Sequence, residues 1–283
     1  MKSLVNIKIF VVVGLLLVAG SFAAVVNANH AWGKYHWDKS TEDSTINPLE
    51  LGNNLTTSDW DSSLTIASTD WNNSVLKNAV VPGAGNTNCD PTSGRVEVCN
   101  DEYGINDWLG IASIWVTRGR NNHIVQGVVK VNDTYFNTAP YNSQSRRDMV
   151  VCQEVGHTFG LDHQDENFSN INLGTCMDYT NDPDGTLFNQ LDNRHPNLHD
   201  YEMMTEIYAH LNTTGDGGGS GNGNGKGKGG GKGKPSDVGV QIDLNDPSEW
   251  GQAVKQDAQG KNSLYERNLP NGQVLITHVI WVD

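Results

Sequence analysis

The chain has 283 residues, four cysteines and 33 acidic against 19 basic side chains, for a formal net charge of −14. An acidic balance of that size argues against nucleic acid as a partner, because a phosphate backbone is bound by basic surfaces. The length suits one domain of ordinary size with an appendage.

Residues 1–28 read as a secretory signal peptide. Lys2 and Lys8 give a positive start, Ile9 to Ala19 an apolar run, and Val26-Asn27-Ala28 a cleavage site before Asn29. The run is shorter than the roughly 20 residues a membrane-crossing helix needs. The expectation is a secreted, extracellular protein with no stable membrane insertion.

An aromatic opening, Ala31 to Trp37, is expected to pack on the core. Trp60, Leu64, Ala67 and Trp71 recur at helical spacing behind Ser58 or Asp59 as an N-cap, which predicts a core helix. Leu109 to Thr117 reads as a buried strand and His123 to Val131 as a second, ending at the turn-forming Asn132-Asp133. Ser145-Arg146-Arg147-Asp148 then resembles a capping box, with Met149, Val150 and Val151 as the first packing residues of a helix.

That helix carries the most informative stretch, Val151 to His163. It follows the pattern H-E-x-x-H-x-x-G-x-x-H with Gln153 where the first histidine belongs. Residues four apart share a helix face, so Gln153 and His157 can address one ion while Glu154 sits beside them. Gly160 can take the left-handed conformation that ends the helix and turns the chain, bringing His163 round as a third ligand. Three protein ligands leave zinc a fourth position for water, whose proton Glu154 could take. Downstream, Gly174-Thr175-Cys176-Met177-Asp178-Tyr179 forms a second motif.

These two motifs, in this order, resemble the metzincin zinc endopeptidases and within them the matrixin-like branch. The resemblance implies an α+β fold, a mixed twisted sheet packed on helices, and zinc-dependent hydrolysis of peptide bonds. It makes His157 and His163 zinc ligands, Glu154 the general base, Met177 the floor of a Met-turn beneath the metal, and Tyr179 a wall or transition-state donor. It also implies that an edge strand above the cleft pairs antiparallel with an extended peptide substrate. His123 to Val131 is the candidate for that edge, an ordinary inner strand being the alternative.

Gln153 departs from the family pattern, because a glutamine offers only a neutral amide oxygen where zinc takes sulfur, imidazole nitrogen or carboxylate. Three readings stay open. Gln153 ligates through its carbonyl; another histidine, of which His195 and His199 are nearest, replaces it; or the site is silent and the chain is a secreted binding protein on a metzincin scaffold. The first is preferred, since Glu154 has a use only in chemistry. The proline after His195 and the cap-like Asp200 after His199 point instead to the start of a closing helix over Tyr201 to Leu211.

Four cysteines in an exported chain predict two disulfides, with Cys89–Cys99 and Cys152–Cys176 the favoured pairing of three. The first brackets a turn-rich stretch; the second would tie the motif helix to the Met-turn. Asp165-Glu166 and Asp182-Pro183-Asp184-Gly185 are oxygen clusters for a structural calcium ion, though neither follows a defined calcium-loop pattern.

The main domain is expected over residues 29–214. A Gly/Lys-rich linker follows over 215–235, with no apolar residue to bury between Gly215 and Lys234. Residues 236–283 read as a small β-rich module with Asn271-Gly272 as a hairpin turn. Docking on the main domain, contact with an extracellular polymer and a role in secretion are its open roles.

Overall fold

The computed structural model describes residues 30–31, 35–85, 88–118, 122–211 and 242–283. The expected signal segment 1–28 and linker 215–235 lie outside the described residues. In chain order the elements are β1 (His36–Trp37), α1 (Thr41–Ile46), β2 (Leu49–Asn54), α2 (Ser58–Trp71), β3 (Asn78–Pro82), β4 (Val96–Asp101), β5 (Trp108–Thr117) and β6 (His123–Asn132). They continue with α3 (Asp133–Phe136), α4 (Gln144–Thr158), α5 (Leu198–Tyr208), β7 (Gln252–Gln256), β8 (Asn262–Asn268) and β9 (Gln273–Trp281).

The strands make one mixed sheet in the order β3-β2-β4-β6-β5-β9-β8-β7, with β1 paired to β6 off this path. Parallel pairing holds from β3 across to β6, and antiparallel pairing from β6 across β5 to β7. Successive side chains on a strand point to opposite faces, and here both faces are covered. On one face Leu109, Ala112 and Ile114 of β5 meet α2 and α4 residues such as Leu64, Trp71 and Val155. On the other, Trp108, Ile111 and Trp115 meet Leu244 and Trp250 from the C-terminal segment. Burial from both sides explains why β5 reads as one continuous apolar run. The fold is α+β, as the sequence implies.

Helix α2 buries Trp60, Leu64, Ala67 and Trp71, the four positions its periodicity selects. Each large side chain so buried contributes roughly 1.5–3 kcal/mol. Its N-cap is Thr57, one residue ahead of the expected Ser58 and two ahead of the alternative Asp59. Trp71 also donates its indole N–H to the carbonyl of Cys152 at 3.0 Å, which fixes α2 against α4. Helix α4 starts earlier than its capping-box pattern suggests: the Ser143 hydroxyl accepts from the amide of Arg146. Asp148 is turned inward to accept from the Ser63 hydroxyl at 2.7 Å, so α2 uses the carboxylate that local sequence assigned to a cap.

Both expected disulfides are present, Cys89–Cys99 and Cys152–Cys176. The second joins α4 to the Met-turn, as anticipated. Two covalent crosslinks are compatible with an extracellular location. Among the described residues, no helix is long and apolar enough to cross a membrane.

The edge-strand expectation needs correction. His123 to Val131 lies in β6, which has β4 on one side and β5 on the other, so it offers no free edge to a peptide. The antiparallel strand next to it is β5, and the outer edge of β5 is taken by β9 along Trp108 to Thr117. Two adjacent apolar runs look alike in sequence, and both lie inside the sheet, β6 between β4 and β5 and β5 between β6 and β9. Asn271-Gly272 makes the expected turn, with Gly272 at φ 85°, and the three tail strands extend the main sheet. The tail thus docks on the main sheet.

Candidate metal centre

The end of α4 and the loop after it form the first half of the centre. Gly160 adopts φ 103°, and a Cβ there would fall on the carbonyl oxygen of Tyr35, so only glycine fits this turn. The reversal brings His163 back over the helix, with its Nε2 at 2.8 Å from Nε2 of His157. Their other ring nitrogens are committed: Nδ1 of His157 lies 2.8 Å from the Leu161 carbonyl, and Nδ1 of His163 lies 2.5 Å from Glu166 Oε1. A carbonyl and a carboxylate accept, so each Nδ1 carries the proton and each Nε2 presents a lone pair. Two lone pairs facing each other at that distance call for a cation or a shared proton between them.

The second half comes from β9. His278 stacks on His157 with ring centroids 3.9 Å apart, and His157, His163 and His278 bring one nitrogen each within 4.8 Å of one another. His278 lies on the same face of β9 as Ile276 and Ile280, both in the core shared with α4. Its partner across the ladder is Ala112, whose small side chain leaves room for the ring. Its Nδ1 is buried without a hydrogen-bond partner. These three imidazoles can bind a metal ion.

Electrostatics keep the donors in ligand form. Burial pushes His157 well below the ordinary imidazole range, helped by the neighbouring rings of His278 and His163. Burial also pushes His278 down to about 3. Both rings are therefore neutral at physiological pH, as a metal ligand must be. Beside His163 a carboxylate is held in its charged form. Burial would raise the Glu166 carboxyl, but His163 and the Lys255 ammonium together hold it down to about 2. Lys255, from β7, reaches Asp162 at 2.9 Å and Glu166 at 3.2 Å.

Glu154, the expected base, is fully buried and neither carboxylate oxygen has a hydrogen-bond partner. Burial drives its pKa well above the usual carboxylate value. It lies against β5 at Gly110, where a Cβ would come within 2.8 Å of Glu154 Oε1. Gln153 is also fully buried; its Nε2 donates to the Cys176 carbonyl at 2.8 Å while its Oε1 has no partner. Met177 is buried, and its carbonyl accepts from the amide of Gln164 at 2.6 Å, tying the Met-turn to the loop that carries His163. The Tyr179 ring lies 4.6 Å from that of His163, and its hydroxyl donates to the Val279 carbonyl of β9 at 3.0 Å.

Of the sequence candidates, His157 and His163 are brought together, Met177 and Tyr179 border them, and Gln153 and Glu154 lie on the same helix. His195 is engaged by Asp70 at 2.6 Å, and His199 packs its ring 4.7 Å from that of His30. Sequence reasoning missed His278 and Lys255. A histidine inside the buried run Val274 to Ile280 was the available signal, because an imidazole in such a strand needs a partner. Asp182, a calcium candidate, accepts from the amides of Leu187 and Phe188, which folds its own loop.

No protein-family model matches the chain, and no curated protein matches it. Among solved structures, that of myroilysin aligns over 57% of this chain and 79% of its own, at 13% identity and a TM-score of 0.33. A likeness that slight carries no argument about function.

Proposed function

We propose that the chain is a secreted, zinc-dependent endopeptidase of the metzincin type, acting on extended polypeptides. Glu154 is the observation that carries this reading. A carboxyl group with no exposed surface and two unpartnered oxygens weakens the fold, and no structural contact offsets that cost. Proton transfer gives it a purpose.

His157 and His163 would hold the metal, with a third donor beside them. A bound zinc ion supplies a water of pKa near 7 and an electrophile for a carbonyl oxygen. The protein does the rest. Burial raises the proton affinity of Glu154, the direction that strengthens it as a general base. The Tyr179 hydroxyl, which donates to the peptide carbonyl of Val279 in this form, would donate to a substrate carbonyl in the same manner. Leu161 and Glu166 fix the tautomers of the two ligand rings.

A second reading, a binding protein with a silent centre, draws on one observation. Glu154, His157, His163 and His278 are exposed by 0%, 1%, 4% and 2%, so the centre is closed. The two readings separate in an assay of casein cleavage by the zinc-loaded protein, with and without a chelator. Slow, chelator-sensitive cleavage that disappears in Glu154→Gln is expected of the peptidase. Equal rates from the parent and Glu154→Gln would leave the binding reading.

A further inference from the structure

We propose that β9 is an internal occupant of the outer edge of β5, the edge at which the peptidase reading would seat an extended substrate, anchored by His278 as a ligand to a metal held by His157 and His163. The inference rests on the peptidase reading for the meaning of that edge; the anchoring itself does not.

Three observations converge on β9. It runs antiparallel along the whole of β5, the position an added extended peptide would take at a sheet edge. One of its carbonyls, that of Val279, accepts from the Tyr179 hydroxyl next to the centre. The residue before it, His278, has a buried Nδ1 with no hydrogen-bond partner and brings one ring nitrogen within 4.8 Å of two imidazoles whose lone pairs already face one another. A strand that merely filled the sheet would need neither contact. A metal ion there would join α4 to β9, so metal uptake and seating of the strand become one equilibrium.

Lys255 works in the same direction. It arrives on β7 with the same C-terminal segment and bridges Asp162 and Glu166, the second of which orients His163. The segment thus brings both a ligand and the cation that steadies another ligand's partner. Displacing β9 would free the outer edge of β5 and withdraw His278 from the other two imidazoles together.

Amide hydrogen exchange of the full-length protein with and without zinc tests the anchoring and needs no variant. Zinc is expected to slow exchange across Leu275 to Ile280, and His278→Ala to abolish that protection while weakening zinc binding by about 100-fold or more. Exchange in β9 indifferent to zinc, or equal zinc affinity in His278→Ala, would overturn the proposal. The occupancy is tested by Ile276→Ala, which thins the packing of β9 without touching the centre. Casein cleavage should rise at least about tenfold although the melting temperature falls. Cleavage that falls along with stability would show β9 to be part of the working site and overturn the occupancy. Zinc-dependent protection of β9 with no cleavage by any form would remove the peptidase reading and leave the anchoring standing.

Discussion

The end of α4 and strand β9 both deliver imidazoles to one point, by opposite means. His157 and His163 are six residues apart and are joined by a glycine turn, so local geometry alone brings them together at 2.8 Å. His278 arrives from the far end of the chain and reaches them only because β9 pairs with β5 in one register, Ala112 opposite His278. A one-residue slip would turn that ring to the opposite face of the sheet. The contrast teaches that half of this centre is a motif and the other half is a topology.

The largest test of the motif half is Glu154→Gln. General-base catalysis contributes about 10²–10⁴-fold, so cleavage should fall by that factor while zinc binding persists. The same change should stabilise the protein, in a pH-dependent way. The folded pKa of Glu154 lies above its unfolded value, so the wild type loses stability as pH rises past about 4.3 toward that raised value. The melting temperature of Glu154→Gln should therefore exceed that of the parent at pH 7 and approach it at pH 4. An unchanged difference between the two pH values would mean that burial does not raise the pKa of Glu154.

The topological half answers to acid. Glu166 is depressed to about 2 when folded, so its contribution is present above about 4.3 and is lost as pH falls toward 2. Roughly 2–3 kcal/mol should disappear across that window, at about 1.36 kcal/mol per pKa unit. Acid titrations monitored by Trp250 and Trp281 fluorescence would detect it as undocking of the C-terminal strands. A Glu166→Gln chain showing the same transition would place the acid sensitivity elsewhere.

What was legible in the sequence follows the same division. Helix α2, both disulfides, the paired apolar runs of β5 and β6, and the α4 motif rest on short spacing or composition, and each has its counterpart in the structure. The edge strand was not legible, because the strands that flank the β6–β5 pair, β4 and β9, leave no mark on either apolar run. Asp148 looked like a cap because its real partner, Ser63, lies on another helix. Lys255 gave no local signal for the same reason: its two carboxylates belong to the loop after α4. Lys255→Met should weaken zinc binding by about tenfold, the low end of what an outer-shell partner is worth, with partial recovery in Lys255→Arg. No change in affinity would detach β7 from the centre.

The smallest expected effect falls on the residue that most disturbed the sequence pattern. Gln153→His restores the full three-histidine motif on α4, and a helix that needed its first ligand should then bind zinc far more tightly. In this fold the position is otherwise employed, with Gln153 Nε2 donating to the Cys176 carbonyl of the Met-turn, and a third imidazole is already present on β9. The substitution should change zinc affinity by less than about tenfold while His278 is intact, and by more in a His278→Ala background, since two residues serving one metal are coupled. A double-mutant cycle on zinc dissociation constants measures that difference directly. A large gain from Gln153→His in the otherwise unchanged chain would show that α4 still holds an unfilled ligand position, and that β9 closes the centre without completing it.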